Sequence, residues 1–182
     1  ATGTIGIELE FPVHGEYAED FLVDRGVSGI GFVDYNHDTY EDCIVIKHDG
    51  SCGINDGAGC ELVSPPTRLV SLINGQGFGA KLHEAWKLLS EQYLEDPKHG
   101  ARCGIHIHVG VESNRDPSSD LIRLRLDRLW RAYSARSAPI MEFCGDSRDP
   151  SKSGHARRYC GAHLALSDKY GQVNASPLMS GR

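Results

Sequence analysis

The sequence predicts an α+β fold, because segments with the period of a β-strand alternate with segments with the period of an α-helix. The clearest strand covers residues 4–11, where apolar side chains at every second position alternate with glycine and glutamate. A period of two places neighbouring side chains on opposite faces of a strand. Residues 102–111 alternate in the same way. Residues 79–93 instead repeat apolar side chains at helical spacing, which predicts an amphipathic helix.

The other elements follow from the same two periods and from turn residues. Helices are predicted over 16–25, where Gly26 provides the stop, and over about 120–133, which begins at a Pro-Ser-Ser-Asp signal. Strands are predicted over 27–35, 42–48 and 59–64, the last ended by Pro65 and Pro66. The glycine-rich residues 49–57 and the turn-rich residues 144–154 are predicted loops.

Length and composition predict one soluble domain over residues 1–182. Charged residues make up 24% and hydrophobic residues 40%, which is ordinary globular usage. No apolar run approaches the ~20 residues that span a bilayer, so no membrane association is expected. The sequence also begins without a signal-peptide pattern, which makes the cytoplasm the expected location unless a signal has been removed.

Charge and cysteine spacing exclude further classes. The net charge of −6 opposes broad binding to nucleic acid, so no nucleic-acid partner is expected. The six cysteines are scattered and contain no C-x-x-C pair of the kind found in structural zinc or redox sites. We interpret them as mostly reduced, small hydrophobic side chains.

Polar side chains that can bind ligands lie two residues apart in several predicted strands, and side chains with that spacing share a face. Taken singly, such pairs are more often a solvated strand face or a satisfied histidine pair than a functional site. Together they predict one shared site if the strands belong to one sheet. The residues are Glu8 and Glu10, then Lys47, Asp49 and Ser51, then Glu61, and finally His106 and His108.

Two carboxylates flanked by apolar residues are costly to desolvate unless a positive charge neutralises them, and a divalent cation is the natural choice. Oxygen ligation by Glu8, Glu10 and Glu61 suits Mg²⁺ or Mn²⁺, which also bind phosphate oxygens. An alternative is a zinc-dependent metallohydrolase in which His106, His108 and a Glu bind zinc and activate water. The surplus of acids over histidines favours the first interpretation.

The order and spacing of these residues resemble the amidoligase family, which is frequent in phage and fungal genomes and is similar to the catalytic domains of glutamate–cysteine ligase and glutamine synthetase. The resemblance covers roughly residues 3 to 165 and rests on four motifs taken together. The motifs are Gly6-x-Glu8-x-Glu10-Phe11, Lys47-x-Asp49-Gly50-Ser51, Gly59-x-Glu61-Leu62-Val63-Ser64-Pro65-Pro66 and Cys103-Gly104-x-His106-x-His108-Val109.

The resemblance implies a glutamine synthetase-like fold, in which a curved antiparallel sheet carries helices on its outer face and an active-site trough on its inner face. Glu8 and Glu10 match the paired metal-binding acids of the superfamily's first strand, and Glu61 matches a further metal-site acid. His106 or His108 matches the histidine near the metal and the nucleotide phosphates, and we assign His106 to the metal and both histidines to the nucleotide.

The implied activity is an ATP-dependent carboxylate–amine ligase with ATP and Mg²⁺ or Mn²⁺ as cofactors. A substrate carboxylate attacks the γ-phosphate to form an acyl phosphate, which an amine then opens. Arg158, with Tyr159, resembles the family's downstream R-Y element. Lys47 and Arg158 are candidate clamps for phosphate or carboxylate, Ser51 is a candidate nucleotide contact, and Asp49 orients a metal-bound water or receives the amine's proton.

The substrates implied are a carboxylate and an amine carried by small molecules, peptides or proteins, and no oligomeric state is implied. One departure from the family is the absence of a late strand with an E-F-R-like element before Arg182. Either the chain is truncated at its C-terminus or the site is incomplete. A non-catalytic module that binds a peptide or another partner on the same fold is therefore a further alternative.

Overall fold

The computed structural model describes residues 4–34, 40, 42–52, 59–94 and 103–110, together with residues 124, 127, 128, 131, 132, 135 and 136. The chain divides into two compact units, residues 1–112 and residues 113–182. The single domain expected over residues 1–182 stays a prediction. Five of the described residues in the second unit are helical, within the helix predicted over 120–133; they are Leu124, Asp127, Arg128, Arg131 and Ala132.

The described residues of the first unit form an α+β fold, as the sequence predicts, and their strands make one mixed sheet. The strands are β1 (Thr4–Phe11), β2 (Ile30–Val33), β3 (Ile44–His48), β4 (Cys60–Val63), β5 (Thr67–Arg68) and β6 (Ile105–Gly110). The helices are α1 (Gly15–Asp24), α2 (Leu69–Ile73) and α3 (Phe78–Tyr93). None of the described helices is long and apolar enough to cross a membrane.

Strand β1 is at the centre of the sheet and is paired along both edges. Glu8 is opposite Val63 of β4 and also opposite His106 of β6, while Thr4 is opposite both Arg68 of β5 and Gly110 of β6. A strand has two edges, so β6 lies along one edge of β1, and β4 and β5 share the other. Beyond β4 the sheet continues to β3 and then β2.

The sheet is not wholly antiparallel, which corrects that part of the expectation. Strand β2 runs parallel to β3, with Ile30 opposite Ile44, while the other pairs are antiparallel among the described strands. A strand pattern in a sequence records which side chains are buried, but it does not record the direction of the neighbouring strand.

One face of the sheet is apolar and packs against the helices. Its centre is Leu62 of β4, which is fully buried and lies between Leu9 of β1 and Ile46 of β3. Helices α1 and α3 cover this face and complete the hydrophobic core through buried residues of their own, which are Ala18, Leu22, Leu82, Ala85 and Leu89. The helices therefore leave the polar side chains on the opposite face of the sheet.

Most element predictions are confirmed, and the exceptions have physical reasons. Helix α1 ends where Gly26 was expected to stop it, and that glycine has the positive φ of 82° that favours glycine. Strand β2 is shorter than the predicted 27–35. Strand β5 and helix α2 were missed, because Pro65 and Pro66 interrupt the pattern although the chain resumes pairing with β1 at Thr67.

The outer face of β6 is a second correction. The alternating pattern predicts that Ile105, Ile107 and Val109 are buried opposite the two histidines, but they are 62%, 61% and 57% exposed. These side chains lie on the same face of the sheet as Leu9 and Ile7, at the end of the sheet furthest from β2 and β3. Period-two alternation therefore gives the correct face of β6 but not its burial. The predicted loop over 144–154 lies outside the described residues.

Candidate functional site

The register of the sheet brings the predicted side chains onto one face, here called the polar face, which comprises Lys47, Glu61, Glu8, Glu10, His106 and His108. Residues that are directly opposite in a ladder share a face. Glu61 is opposite both Glu10 of β1 and Lys47 of β3, and His106 is opposite Glu8. His108 is opposite Gly6, and a Cβ atom added to that glycine would lie 3.6 Å from the Cβ of His108.

Glu8 is the centre of the histidine contacts. Its Oε2 atom lies 3.2 Å from Nδ1 of His106 and 3.0 Å from Nε2 of His108. Burial by itself would raise the pKa of Glu8, but the hydrogen bonds to the two imidazoles outweigh it and lower the pKa to about 2. The same hydrogen bonds raise the pKa of both histidines. Glu8 is therefore an anion that favours protonated imidazoles beside it.

Glu10 is anchored by the backbone at the start of β6. The amide N–H of Gly104 donates to Oε2 of Glu10 at 2.6 Å, and the amide N–H of Glu10 donates to the carbonyl oxygen of Gly104 at 3.0 Å. The other oxygen of Glu10, Oε1, lies 3.4 Å from Nε2 of His106. The side chain is only 8% exposed, so these contacts fix its position firmly. His106 thus bridges Glu8 and Glu10.

Glu61 has the opposite electrostatic environment to Glu8. Burial is the main cause of its raised pKa, which reaches about 7, and the negative charges of Glu8, Asp49 and Glu10 add to the rise. Lys47, on the neighbouring strand, acts in the opposite direction but does not cancel these effects. A carboxyl group with this pKa is partly protonated at neutral pH, and added positive charge beside it would favour its ionised form.

Lys47 is a buried cation at the β3 side of the polar face. It is 6% exposed, and its Nζ atom lies 5.4 Å from the centre of the Tyr40 ring. That distance permits a cation–π interaction. The ammonium group is therefore held within the sheet's polar face, beside the acids, and is not extended into solvent.

Asp49 and Ser51 form a local turn at the end of β3. The backbone N–H of Ser51 donates to Oδ1 of Asp49 at 2.8 Å, and its hydroxyl donates to Oδ2 at 2.9 Å. Both carboxylate oxygens of Asp49 are thus engaged by Ser51, which is a common way to stabilise a turn. The charge of Asp49 still reaches the site, because it contributes to the raised pKa of Glu61.

The polar face has the donor types of a metal site, but its side chains are arranged for contact with one another. Among the described residues, no group of three or more His, Cys, Asp or Glu side chains has the arrangement that would hold a metal ion. The imidazoles of His106 and His108 instead occupy the same oxygen of Glu8. A cation that used this oxygen would have to displace at least one of them.

The structure brings six of the predicted site residues onto one face and places Asp49 and Ser51 at the adjoining turn. Arg158 and Tyr159 lie outside the described residues. Pattern reasoning missed three contributors. These are the Gly104 amide, the Tyr40 ring beside Lys47, and the Ser64 hydroxyl, which accepts the N–H of Ile7 at 2.9 Å. Gly104 and Ser64 lie inside the quoted motifs, but Tyr40 carries no signal of its own.

Comparison of this chain with protein-family models, with curated proteins and with solved structures finds no match. The four-motif resemblance to amidoligases and the geometry of the polar face are therefore the two bases for a function.

Proposed function

We propose that this chain is a carboxylate–amine ligase that uses ATP and a divalent cation, Mg²⁺ or Mn²⁺. The observation that carries the proposal is the row of carboxylates formed by Glu8, Glu10 and Glu61, with His106 and His108 beside it on one face of the sheet. Such a row matches the acids and histidines that the amidoligase resemblance assigns to cation and nucleotide.

Electrostatics favours a cation at this row. Ionisation of Glu61 carries an energetic cost on this surface, because burial and, after it, the neighbouring carboxylates raise its pKa to about 7. A divalent cation would remove that cost, and oxygen-rich donors suit Mg²⁺ or Mn²⁺ better than softer metals. The cation would be held by Glu8, Glu10, Glu61 and His106, and the imidazole of His106 would have to give up its proton and its contact with Glu8 to serve as a ligand. When bound, it would supply positive charge that offsets the negative charge of the transferred phosphoryl group.

The residues of the chain would do the remaining work by binding and positioning. Lys47 lies beside Glu61 and would hold a phosphate or the substrate carboxylate. The substrate carboxylate attacks the γ-phosphorus, ADP leaves, and the resulting acyl phosphate reacts with an amine to give an amide and phosphate. The amine must lose a proton in the second step. Asp49 remains the candidate acceptor, although accepting a proton would weaken its turn with Ser51.

The finer fold assignment, a glutamine synthetase-like curved sheet, is part of the same proposal. Two features support it: helices α1 and α3 cover one face of the sheet, and the acids and histidines lie on the other. The substrates remain a carboxylate and an amine carried by a small molecule, a peptide or a protein.

Binding of a non-hydrolysable ATP analogue, measured by calorimetry with and without Mg²⁺, tests the proposal. We expect cation-dependent binding in the wild type and at least a tenfold loss in Glu61→Gln. Glu84→Gln, on the exposed side of α3, is the matched control and should bind as the wild type does. Absence of nucleotide binding in the presence of Mg²⁺ would reject the ligase and favour a non-catalytic binding module.

Turnover gives the second test. If the chain hydrolyses or consumes ATP in the presence of candidate amines, Glu8→Gln should lower that rate by orders of magnitude, because it removes a cation ligand. An unchanged rate would reject Glu8 as a ligand.

A zinc-dependent hydrolase is the second candidate, and one observation favours it. Both imidazoles contact the same carboxylate, at 3.2 and 3.0 Å, and histidine pairs supported by carboxylates are common in zinc sites. Metal analysis of the purified protein distinguishes the two functions. Stoichiometric zinc that is lost in a His106→Ala, His108→Ala double variant would favour the hydrolase, whereas Mg²⁺-dependent nucleotide binding would favour the ligase.

A further inference from the structure

Three thiols gather below the polar face, where the end of β1 meets the starts of β4 and β6. Cys52, Cys60 and Cys103 carry thiols that are not joined in a disulfide, and they are 0%, 1% and 9% exposed. The thiol of Cys52 lies within hydrogen-bonding distance of the carbonyl oxygens of Phe11, Asp49 and Cys60, at 3.4, 3.4 and 3.5 Å. Cys60 belongs to the hydrophobic core, and the proposed ligase assigns no role to any of the three thiols.

Cys52 and Cys103 are the pair whose two thiols interact directly with each other. The thiol of Cys103 donates to the carbonyl oxygen of Cys52 at 3.9 Å, although the two residues are 51 positions apart in the sequence. The two thiols also hydrogen-bond with each other, which is the main cause of the raised pKa of Cys52. For Cys60, by contrast, burial is the main cause of the raised pKa, and Cys103 acts only through its charge.

We propose that Cys52 and Cys103 form an oxidation site, in which hydrogen peroxide converts the two neighbouring thiols into a disulfide. Cys103 reacts first because it is the more exposed of the two: its sulfur takes one oxygen from the peroxide to become a sulfenic acid, and water leaves. The sulfur of Cys52 then attacks the sulfenic sulfur, the S–O bond breaks, and the thiol proton of Cys52 passes to the departing hydroxyl group, which leaves as a second water. Two thiols thus supply the two electrons that reduce one hydrogen peroxide to two waters.

The position of this pair gives the oxidation a local consequence. Cys52 follows the Asp49–Ser51 turn, and Cys103 precedes Gly104, whose amide N–H holds Glu10. The disulfide joins the end of β3 to the start of β6, two segments that adjoin opposite sides of the polar face. It also closes a long loop, which constrains the unfolded chain and stabilises the folded one. The pair does not depend on the proposed ligase activity.

The test is peptide mapping of the full chain after brief exposure to hydrogen peroxide and alkylation of the remaining thiols. A protease that cleaves before aspartate places Cys43, Cys52, Cys60 and Cys103 in separate peptides, residues 42–48, 49–55, 56–95 and 96–115. We expect a reducible link between peptides 49–55 and 96–115 in the wild type and in the matched control Cys43→Ser. The link should be absent from Cys52→Ser and should not predominate in concentrated urea, where the native contact is lost.

Unfolding in urea supplies a second measurement that does not depend on the variant folding well. The oxidised wild type should unfold at a higher urea concentration than the same protein after reduction. Predominant linkage of Cys103 to Cys60 or Cys43 would overturn the proposal. So would retention of both thiols under conditions that oxidise Cys43, which would leave Cys52 and Cys103 as packing residues.

Discussion

Glu8 and Glu61 carry the same carboxyl group on neighbouring strands, yet their pKa values move in opposite directions, to about 2 and about 7. Burial raises both. The difference comes from the neighbours, because Glu8 receives two imidazoles whereas Glu61 faces Glu8, Asp49 and Glu10. The protonation state of each acid is therefore decided by the strand beside it, and the E-x-E motif alone does not reveal it.

Glu8→Gln should lower the pKa of both His106 and His108. The hydrogen bond to Glu8 is the largest cause of the raised pKa at each histidine, and an amide provides no negative charge to favour the imidazolium. NMR titration of the ring protons in the two proteins measures the change, with the signals of His83 on α3 as an internal reference. If both histidines titrate identically in the wild type and the variant, the contacts with Glu8 do not exist in solution.

Glu61→Gln should make the protein more stable above neutral pH in the presence of a chelator. A carboxyl whose pKa rises from 4.5 to about 7 on folding contributes stability below pH 4.5, and this contribution is lost as the pH rises through 7. Glutamine stays neutral and avoids that loss. The gain at pH 8 should be on the order of 1–2 kcal/mol after allowance for solvent screening.

Urea unfolding at pH 4.5 and pH 8 measures this difference, with Glu84→Gln as the control. The stability gained by Glu61→Gln over the wild type should be larger at pH 8 than at pH 4.5. A gain that is equal at both pH values would mean that folding does not raise the pKa of Glu61.

Single elements were predictable from the sequence where the pattern itself is the physical cause. Strand β1 alternates because one face packs on helices and the other carries Glu8 and Glu10, so its limits are correct. The short β5 was not predictable, since its two residues pair with β1 only after the Pro65-Pro66 break. The parallel direction of β2 was equally hidden, because its alternation is the same in either direction.

Replacing two isoleucines in different strands tests the contrast between the sheet's centre and its last strand. Ile46 of β3 is fully buried, whereas Ile107 of β6 is 61% exposed. Ile46→Ala should therefore reduce the free energy of unfolding by about 2–5 kcal/mol, and Ile107→Ala by less than about 1 kcal/mol. Urea unfolding of both variants provides the comparison. A large loss from Ile107→Ala would mean that this face of β6 is covered in solution.

At the scale of the whole molecule, the sequence predicts that the site residues lie on one face of the sheet. It does not predict which of these side chains contact one another. Acids and histidines at two-residue spacing meet on one face whenever their strands share a sheet, and here β4, β1 and β6 are adjacent. The contacts depend on side-chain positions, however, and His106 and His108 bind Glu8 in the described structure. Whether the acids and histidines of the polar face bind a cation therefore has to be tested on the folded protein.

If the polar face binds a divalent cation, Mg²⁺ should stabilise the folded protein more at pH 8 than at pH 5.5. Protons compete with the cation, because Glu61 is largely protonated and the two histidines are charged at the lower pH. At a concentration of 100 times the dissociation constant, binding adds about 2.7 kcal/mol to the free energy of unfolding. Thermal melting with increasing Mg²⁺ should therefore show a larger rise in Tm at pH 8, and the rise should be reduced in Glu8→Gln and unchanged in Glu84→Gln.

An equal rise in Tm in all three proteins would place the cation elsewhere on the molecule. The absence of any rise at pH 8 would exclude the polar face as a cation site in the nucleotide-free protein.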